Sequence, residues 1–349
     1  MVQGAQATSL AFFLRSIHMK KSLIALAVLA ATTGAAMAQS NVTLYGRIDT
    51  SIGSEKLNGV STSKLFSGNL TTSRYGFRGT EDLGGGLKAN FALENGFNSD
   101  DGTTGTNGSA FNRQSWVGLS GGFGAVKLGK TDSVFKDVYD LGVANNLFDS
   151  EFTPVKIAYA GVSNFSSRPE NQLRYETPNM GGFSAGLTYA LDENVAPATA
   201  NSEVTAFNLR YRAGPLDVGL GYQEQDNVTA TLDREYTVLS AGYDFGVVRL
   251  SGQIHNAKQR SGLKDSDYAI GVAMPLGAFT VSAGYASSTT KTNGVKTADG
   301  EAFAFGATYA LSKRTSLYGA YLDGDVKNPS TGATTTDRKL YSVGVVHNF

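Results

Sequence analysis

The chain has 349 residues and no formal net charge, with 17% charged side chains and 42 glycines, where a soluble domain carries roughly 25% charged residues and about 7% glycine. That much glycine disfavours a helical protein, and the absence of cysteine excludes disulfides, thiolate metal sites and cysteine nucleophiles together. No basic run points to nucleic acid, and after residue 38 no stretch approaches the ~18 consecutive apolar residues of a transmembrane helix, so any membrane crossing must be made by strands.

In chain order, the first signal starts at Met19. Lys20 and Lys21 precede an apolar run centred on Leu23 to Ala31 and a small-residue ending Ala36-Met37-Ala38, the three parts of a secretory signal peptide. Residues 19–38 are read as that signal, with cleavage before Gln39; the alternative is a buried apolar helix. Residues 1–18 have no place in the pattern and are read as an over-called start, translation beginning at Met19. Loss of Arg15, Lys20 and Lys21 leaves 27 basic against 30 acidic side chains, a net of −3. Residues 39–349 form one domain.

That domain divides into segments of about ten residues alternating apolar with small or polar side chains, the period of a strand whose faces meet different surroundings. Phe183, Ala185, Leu187 and Tyr189 alternate with Ser184, Gly186, Thr188 and Ala190; Phe279, Val281, Ala283 and Tyr285 do the same with Thr280, Ser282, Gly284 and Ala286. The pattern predicts strands near 42–51, 73–81, 87–96, 112–119, 124–130, 170–177, 183–190, 204–213, 216–224, 235–245, 247–256, 267–274, 279–287, 301–310, 316–323 and 339–349. Connections alternate too. Short ones such as Gly121-Gly122-Phe123-Gly124 and Gly214-Pro215 carry turn chemistry, while 97–111, 288–300 and 324–338 read as long polar loops. The expectation is an all-β chain folded as a 16-stranded antiparallel transmembrane β-barrel, its apolar face toward lipid and its polar face toward a lumen. Closure satisfies the backbone groups that hydrocarbon cannot. A soluble all-β protein would bury the apolar faces, and the Gly, Ser, Thr and Ala of the opposite faces suit a crowded wall better than a solvated surface.

The longest connection, Thr131 to Pro169, contains Val134, Phe135, Val138, Tyr139, Leu141, Leu147, Phe148 and Phe152, too apolar for a free loop, and is expected to pack against the wall. Strand parity gives directions on that wall: with Tyr75, Phe77 and Gly79 outward, Arg74, Gly76 and Arg78 face in; with Leu44, Gly46 and Ile48 outward, Arg47 faces in. Arg113 has the inward parity of the fourth strand, and Arg168 and Arg174 that of the sixth.

Four blocks carry a resemblance. Val42-Thr43-Leu44-Tyr45-Gly46-Arg47-Ile48-Asp49, Ser73-Arg74-Tyr75-Gly76-Phe77-Arg78-Gly79-Thr80-Glu81-Asp82-Leu83-Gly84, Val117 through Lys130, and Tyr341 through Phe349 resemble the trimeric general porins of Gram-negative outer membranes, closest to the β-proteobacterial type, across essentially all of 40–349. The resemblance implies an exported homotrimer in outer-membrane lipid and lipopolysaccharide, a general diffusion channel for small hydrophilic solutes and ions, and a third loop folded into the barrel. It implies a pore constriction with wall arginines at Arg47, Arg74, Arg113 and Arg168, assisted by Arg78, facing acids from the third loop, for which Asp140, Asp149 and Glu151 are candidates. The acidic side departs from the enteric pattern, with no Pro-Glu-Phe and with Asn145-Asn146 where an acid is expected, so weak anion selectivity is predicted. Terminal Phe349 resembles the signal read by the outer-membrane assembly machinery; an aromatic at the membrane interface is the plainer reading, and both can hold.

An outer-membrane barrel enzyme is the rival class. Of three histidines, His18 precedes the mature chain, His347 is near the end, and His255 stands alone on the eleventh strand; no Ser-His-Asp set or metal spacing is visible, so no catalytic residue and no cofactor are expected. A substrate-specific channel is a closer rival. It calls for a dense aromatic or basic track, which the sequence does not show, with Tyr45 and Tyr159 as candidate contributors.

Overall fold

A computed structural model describes residues 41–104, 109–143, 149–191, 203–227 and 229–349; the signal segment 19–38, the stretch 1–18 before it, and Asn145-Asn146 lie outside the described residues. In chain order the strands are β1 Asn41–Leu57, β2 Val60–Ser67, β3 Arg74–Gly84, β4 Leu87–Gly96, β5 Gln114–Gly121, β6 Gly124–Lys130, β7 Gln172–Glu176, β8 Phe183–Ala190, β9 Glu203–Ala213, β10 Leu216–Asp226, β11 Arg234–Asp244, β12 Arg249–Gln259, β13 Leu263–Leu276, β14 Phe279–Thr292, β15 Val295–Ala310, β16 Thr315–Lys327 and β17 Thr334–Asn348. Two helices, α1 Val134–Val143 and α2 Val155–Ala158, lie between β6 and β7.

Consecutive strands pair antiparallel except β2 and β3, and β1 closes the ring on β17 from Arg47 opposite Asn348 to Leu57 opposite Arg338. The other edge of β1 pairs with β3 over Asn41–Arg47 and with β2 over Thr50–Leu57. β2 and β3 therefore share one wall position, broken by residues 68–73, and seventeen segments make a closed sixteen-position barrel. A barrel of that size leaves an aqueous lumen.

Several boundaries differ from the sequence reading. β2 was not expected as a strand, and 288–300 and 324–338, read as loops, mostly extend the β14–β15 and β16–β17 hairpins. In these extensions the outer face carries polar residues such as Thr289, Lys291 and Lys327 while the buried inner face carries Ser288, Thr290 and Arg338, so the apolar–polar contrast fades although the hydrogen bonds continue. The tight ends are Asn58-Gly59 and Asn293-Gly294, where both residues of each pair have positive φ (49° and 87°, 50° and 85°), the conformation that makes Asn-Gly a hairpin turn.

Alternation survives in the spanning parts. Leu220, Leu239, Ile254 and Ile270 are exposed on the outside, while Gly221, Ser240, Gln253 and Ala269 take the other face. The segment 131–169 packs on that other face. Its Val134 backbone N–H donates to Thr188 Oγ1 of β8 (3.1 Å), its Val134 carbonyl accepts from Asn208 of β9 (2.7 Å), and its Val162 N–H donates to Asp265 of β13 (2.6 Å). Glu151 meets Arg338 of β17 at 2.8 Å. A 39-residue connection that touches the polar faces of β8, β9, β13 and β17 lies inside the ring. Val134, Phe135, Val138 and Leu141, spaced i, i+1, i+4 and i+7, form the buried face of α1, each contributing about 2 kcal/mol by burial.

Candidate functional site

The inward segment divides the lumen and leaves a cavity of about 1160 Å³ lined on the wall by Arg47, Arg74 and Arg113 and from the segment by Lys136, Lys156, Arg168, Asp140, Asp149 and Glu151. Seven of the eight expected constriction residues thus border one space. Arg78 does not: it lies four residues along β3 from Arg74, about 13 Å toward the short-turn end, in a separate cavity of about 510 Å³. Arg168 precedes β7 and faces the cavity from the segment itself, held by Asp132 at 2.6 Å, so its parity with the sixth wall strand does not set its direction.

The wall arginines are tied by one acid. Glu94 of β4, its side chain only 6% exposed, takes Arg113 Nε at 2.6 Å and Arg74 Nε at 3.7 Å and accepts the Tyr45 hydroxyl at 3.0 Å. Arg47 is held differently. Its Nη1 donates to the neutral Thr71 hydroxyl (2.9 Å), which in turn donates to Asp149 Oδ2 (3.1 Å), so a basic wall and an acid of the inward segment meet through a threonine.

Thr71 is placed by Asp49, a residue the sequence reading passed over although it shares the inward parity of Arg47. Fully buried Asp49 accepts the backbone N–H of Leu70 (2.7 Å) and Thr71 (2.8 Å) on one carboxylate oxygen and the Tyr318 hydroxyl (2.8 Å) on the other. Residues 68–73 therefore turn inward where β2 and β3 would otherwise join.

On the segment, Lys136 pairs with Asp140 one helical turn on, and Lys156 pairs with Glu151. Burial alone would raise the Glu151 carboxyl, but Lys156 and Arg338 outweigh it and hold it below the usual carboxylate range. Lys136 and Lys156 were not expected from sequence, because helix and irregular chain give no two-fold alternation from which to read direction. Counted on the cavity surface, six cations face three carboxylates.

His255 is not alone. Fully buried, its Nδ1 lies 2.8 Å from Asp267 Oδ2, its ring stacks on Tyr159 at 5.8 Å, and the Ser163 hydroxyl lies 2.6 Å from the same carboxylate oxygen. Serine, histidine and aspartate thus do come together, but the hydroxyl engages the acid and not the imidazole, and the His255 and Asp267 side chains are fully buried. It clamps the segment to β12 and β13. Among the described residues no group of three or more His, Cys, Asp or Glu side chains is placed to hold a metal.

Phe349 closes the ring. Its N–H donates to the Gly46 carbonyl (3.0 Å) and its carbonyl accepts from Gly46 (3.1 Å), while Tyr341, Val343 and Val345 share its exposed face.

Comparison with known proteins places these features in a wider group. A family profile described as Gram-negative porin matches residues 25–329. Outer membrane porin protein 32 of Delftia acidovorans is 40% identical over 315 residues, covering 86% of this chain and 88% of that protein; an outer membrane porin protein of Bordetella pertussis is 32% identical over 402 residues, covering 95% and 100%. Among solved structures, an anion-selective porin from Comamonas acidovorans matches with a TM-score of 0.72 and 30% identity over 89% of this chain and all of that one. The trimer form of OmpT from Vibrio cholerae matches with a TM-score of 0.68 at 16% identity over 89% of this chain and 99% of that one, a likeness of fold.

Proposed function

Because the chain belongs to the Gram-negative porin family, we propose that it is a general diffusion channel of the outer membrane that favours small anions weakly. The observation that carries the sign is the lining of the central cavity, six cationic side chains against three carboxylates. With Glu94 and Asp132, which hold Arg74, Arg113 and Arg168 from behind, the cations still lead by six to five. The mature net charge of −3 argues for cations, but it sums over the whole chain, and charges beyond a Debye length of ~8 Å from the narrow part are screened by salt. Charges in the narrow part act through a medium of lower effective dielectric, where a pair 4 Å apart interacts by ~4 kcal/mol against ~1 in bulk water. The local set wins.

Arg47, Arg74, Arg113 and Arg168 would then form the basic side of the constriction, with Asp140, Asp149 and Glu151 as a partial counterweight. Arg47 carries the most weight because a neutral hydroxyl holds it. A solute crosses by exchanging part of its hydration shell for these charges, with no covalent step, and an anion is held more strongly than a cation. A homotrimer is the expected assembly, in contact with lipopolysaccharide and inserted by the machinery that reads Phe349; an SDS-resistant, heat-sensitive oligomer on unheated gels tests the assembly state.

Reversal potential in a KCl gradient tests the selectivity. A chloride preference that weakens as salt rises is expected, and Arg47→Gln should move it toward cations. A clear potassium preference in the parent channel would overturn the reading.

A further inference from the structure

The sequence has one tryptophan, and the fold turns it inward. Trp116 shares the lumen parity of Gln114 on β5, opposite the lipid-facing Val117 and Leu119, and lines the 510 Å³ cavity toward the short-turn end together with Tyr45, Arg78, Glu94 and Gln114. The indole is half-buried and one of its faces borders the cavity. Its setting is fixed: the indole N–H donates to Gln114 Oε1 at 2.8 Å, and the Lys127 ammonium sits 5.2 Å from the ring centroid.

Across the same space Tyr45 lies against the wall because Gly76 leaves room for it; a Cβ there would fall 2.9 Å from the tyrosine Cζ and Oη. On the Tyr45 ring rests the Arg78 guanidinium, 4.9 Å from the centroid. Arg78 has no carboxylate partner among the described residues, and the nearby Glu94 carboxylate is already engaged by Arg74, Arg113 and the Tyr45 hydroxyl. The cavity therefore offers an uncompensated planar cation and an aromatic surface, with a hydrogen-bonding rim.

We propose that this cavity is a second binding subsite, below the constriction, that holds anions with a flat conjugated body, aromatic carboxylates in the first instance. The carboxylate takes the Arg78 fork, which suits two oxygens in a plane, and the ring lies against Trp116 and Tyr45 in offset or edge contact. The subsite rests on the channel reading, since the constriction delivers anions to it. It adds a preference among them that charge alone does not give.

Trp116 reports its own occupancy. Emission of the folded, detergent-solubilised full-length protein is titrated with benzoate, benzamide and acetate at fixed ionic strength. Benzoate should shift and quench the single tryptophan at a concentration at least about tenfold below acetate and benzamide, and Arg78→Gln should weaken benzoate by about tenfold while leaving benzamide unmoved. In bilayers, benzoate should reduce chloride current more than acetate does, and Trp116→Leu should remove that difference. Equal effects of benzoate and acetate, equal effects of benzoate and benzamide, or full benzoate binding by Arg78→Gln would each overturn the subsite. A parent protein that binds benzoate but conducts no ions would strike the channel reading and leave the subsite standing.

Discussion

The Cγ methyls of Val138 lie 2.9 Å from the point a Cβ on Gly219 would occupy. The wall of β10 is thus hollowed to seat α1, and Gly186 of β8 does the same for Val134, whose Cγ1 would stand 2.7 Å from an added Cβ. Overpacking such a contact costs about 1–3 kcal/mol, and the wall, held by its ladder, yields less than the helix. Gly219→Leu should therefore loosen the inward segment without opening the barrel. Single-channel conductance is expected to rise while the unheated protein keeps the gel mobility of a folded barrel; an unchanged conductance would show that the segment does not narrow the pore.

The Glu94 tether separates field from structure. Removing both arginines in Arg74→Gln with Arg113→Gln leaves a nearly buried carboxylate held only by a tyrosine hydroxyl, and breaking such a pair costs about 3–5 kcal/mol. The double variant should lose both denaturant resistance and anion preference. Adding Glu94→Gln should restore much of the resistance. Because it also removes one negative charge, it should recover only part of the anion preference, and full recovery of selectivity would mean that the arginines act through packing alone.

The wall and the inward direction of Arg47 and Arg74 were legible in the sequence for one reason: in the spanning strands every second residue meets lipid, so parity is written in the side chains. Leu44, Ile48 and Phe77 therefore fix the direction of Arg47 and Arg74 by alternation alone. Legibility ended where apolar and polar side chains stop alternating. Val60–Ser67 pairs as a full strand yet mixes the two on each face, Val60 and Phe66 with Thr62 and Lys64 on one and Leu65 with three serines on the other, and the 288–300 stretch is polar on both faces over Ser288–Thr292. Inside the lumen, Lys136, Lys156 and Thr71 belong to chain with no two-fold period, and their directions depend on Asp49, His255 and the glycine seats, which are set by contacts remote in sequence. Asp49 was within reach, since Arg47 is its neighbour on the same face. Trp116 was not, because a fourth strand phased on Arg113 turns 114 and 116 outward, whereas Arg113 lies just before β5 and Val117 and Leu119 take the lipid face.

Phe349 closes the ring and is the proposed assembly signal. Its two backbone hydrogen bonds to Gly46 are available to any residue, whereas its ring is not. Phe349→Ala should keep the ladder and a folded barrel after refolding in detergent but lower the amount reaching the cell surface, and Phe349→Tyr should restore it. Equal surface levels for all three would leave the ring a purely interfacial role.

The response to acid follows from the two acids of the inward segment. Burial raises the Asp140 carboxyl above the ordinary carboxylate range while the Lys136 ammonium pulls it back; with 41% of the side chain open to the lumen, water moderates the shift. Glu151 goes the other way, held below that range by Lys156 and Arg338 against the effect of burial. As pH falls toward ~4, the ordinary carboxylate value, Asp140 protonates first, and the cavity loses a negative charge while keeping every cation. Anion preference should therefore increase on acidification, and Asp140→Asn should show the increased preference at neutral pH with that step absent. For Glu151 the lowered folded pKa means that its ion pairs stabilise docking above the unfolded carboxylate value, and the contribution is lost only as pH falls through the lower folded value. A second change, with larger and noisier conductance as the segment loosens, should appear below the first and be missing in Glu151→Gln, which is loosened already. Reversal potentials and single-channel traces recorded from about pH 7 down to about 3, a range that spans the ordinary carboxylate values, check both steps. A preference that moves toward cations on acidification would show that Asp140 does not sit in the field that ions sense.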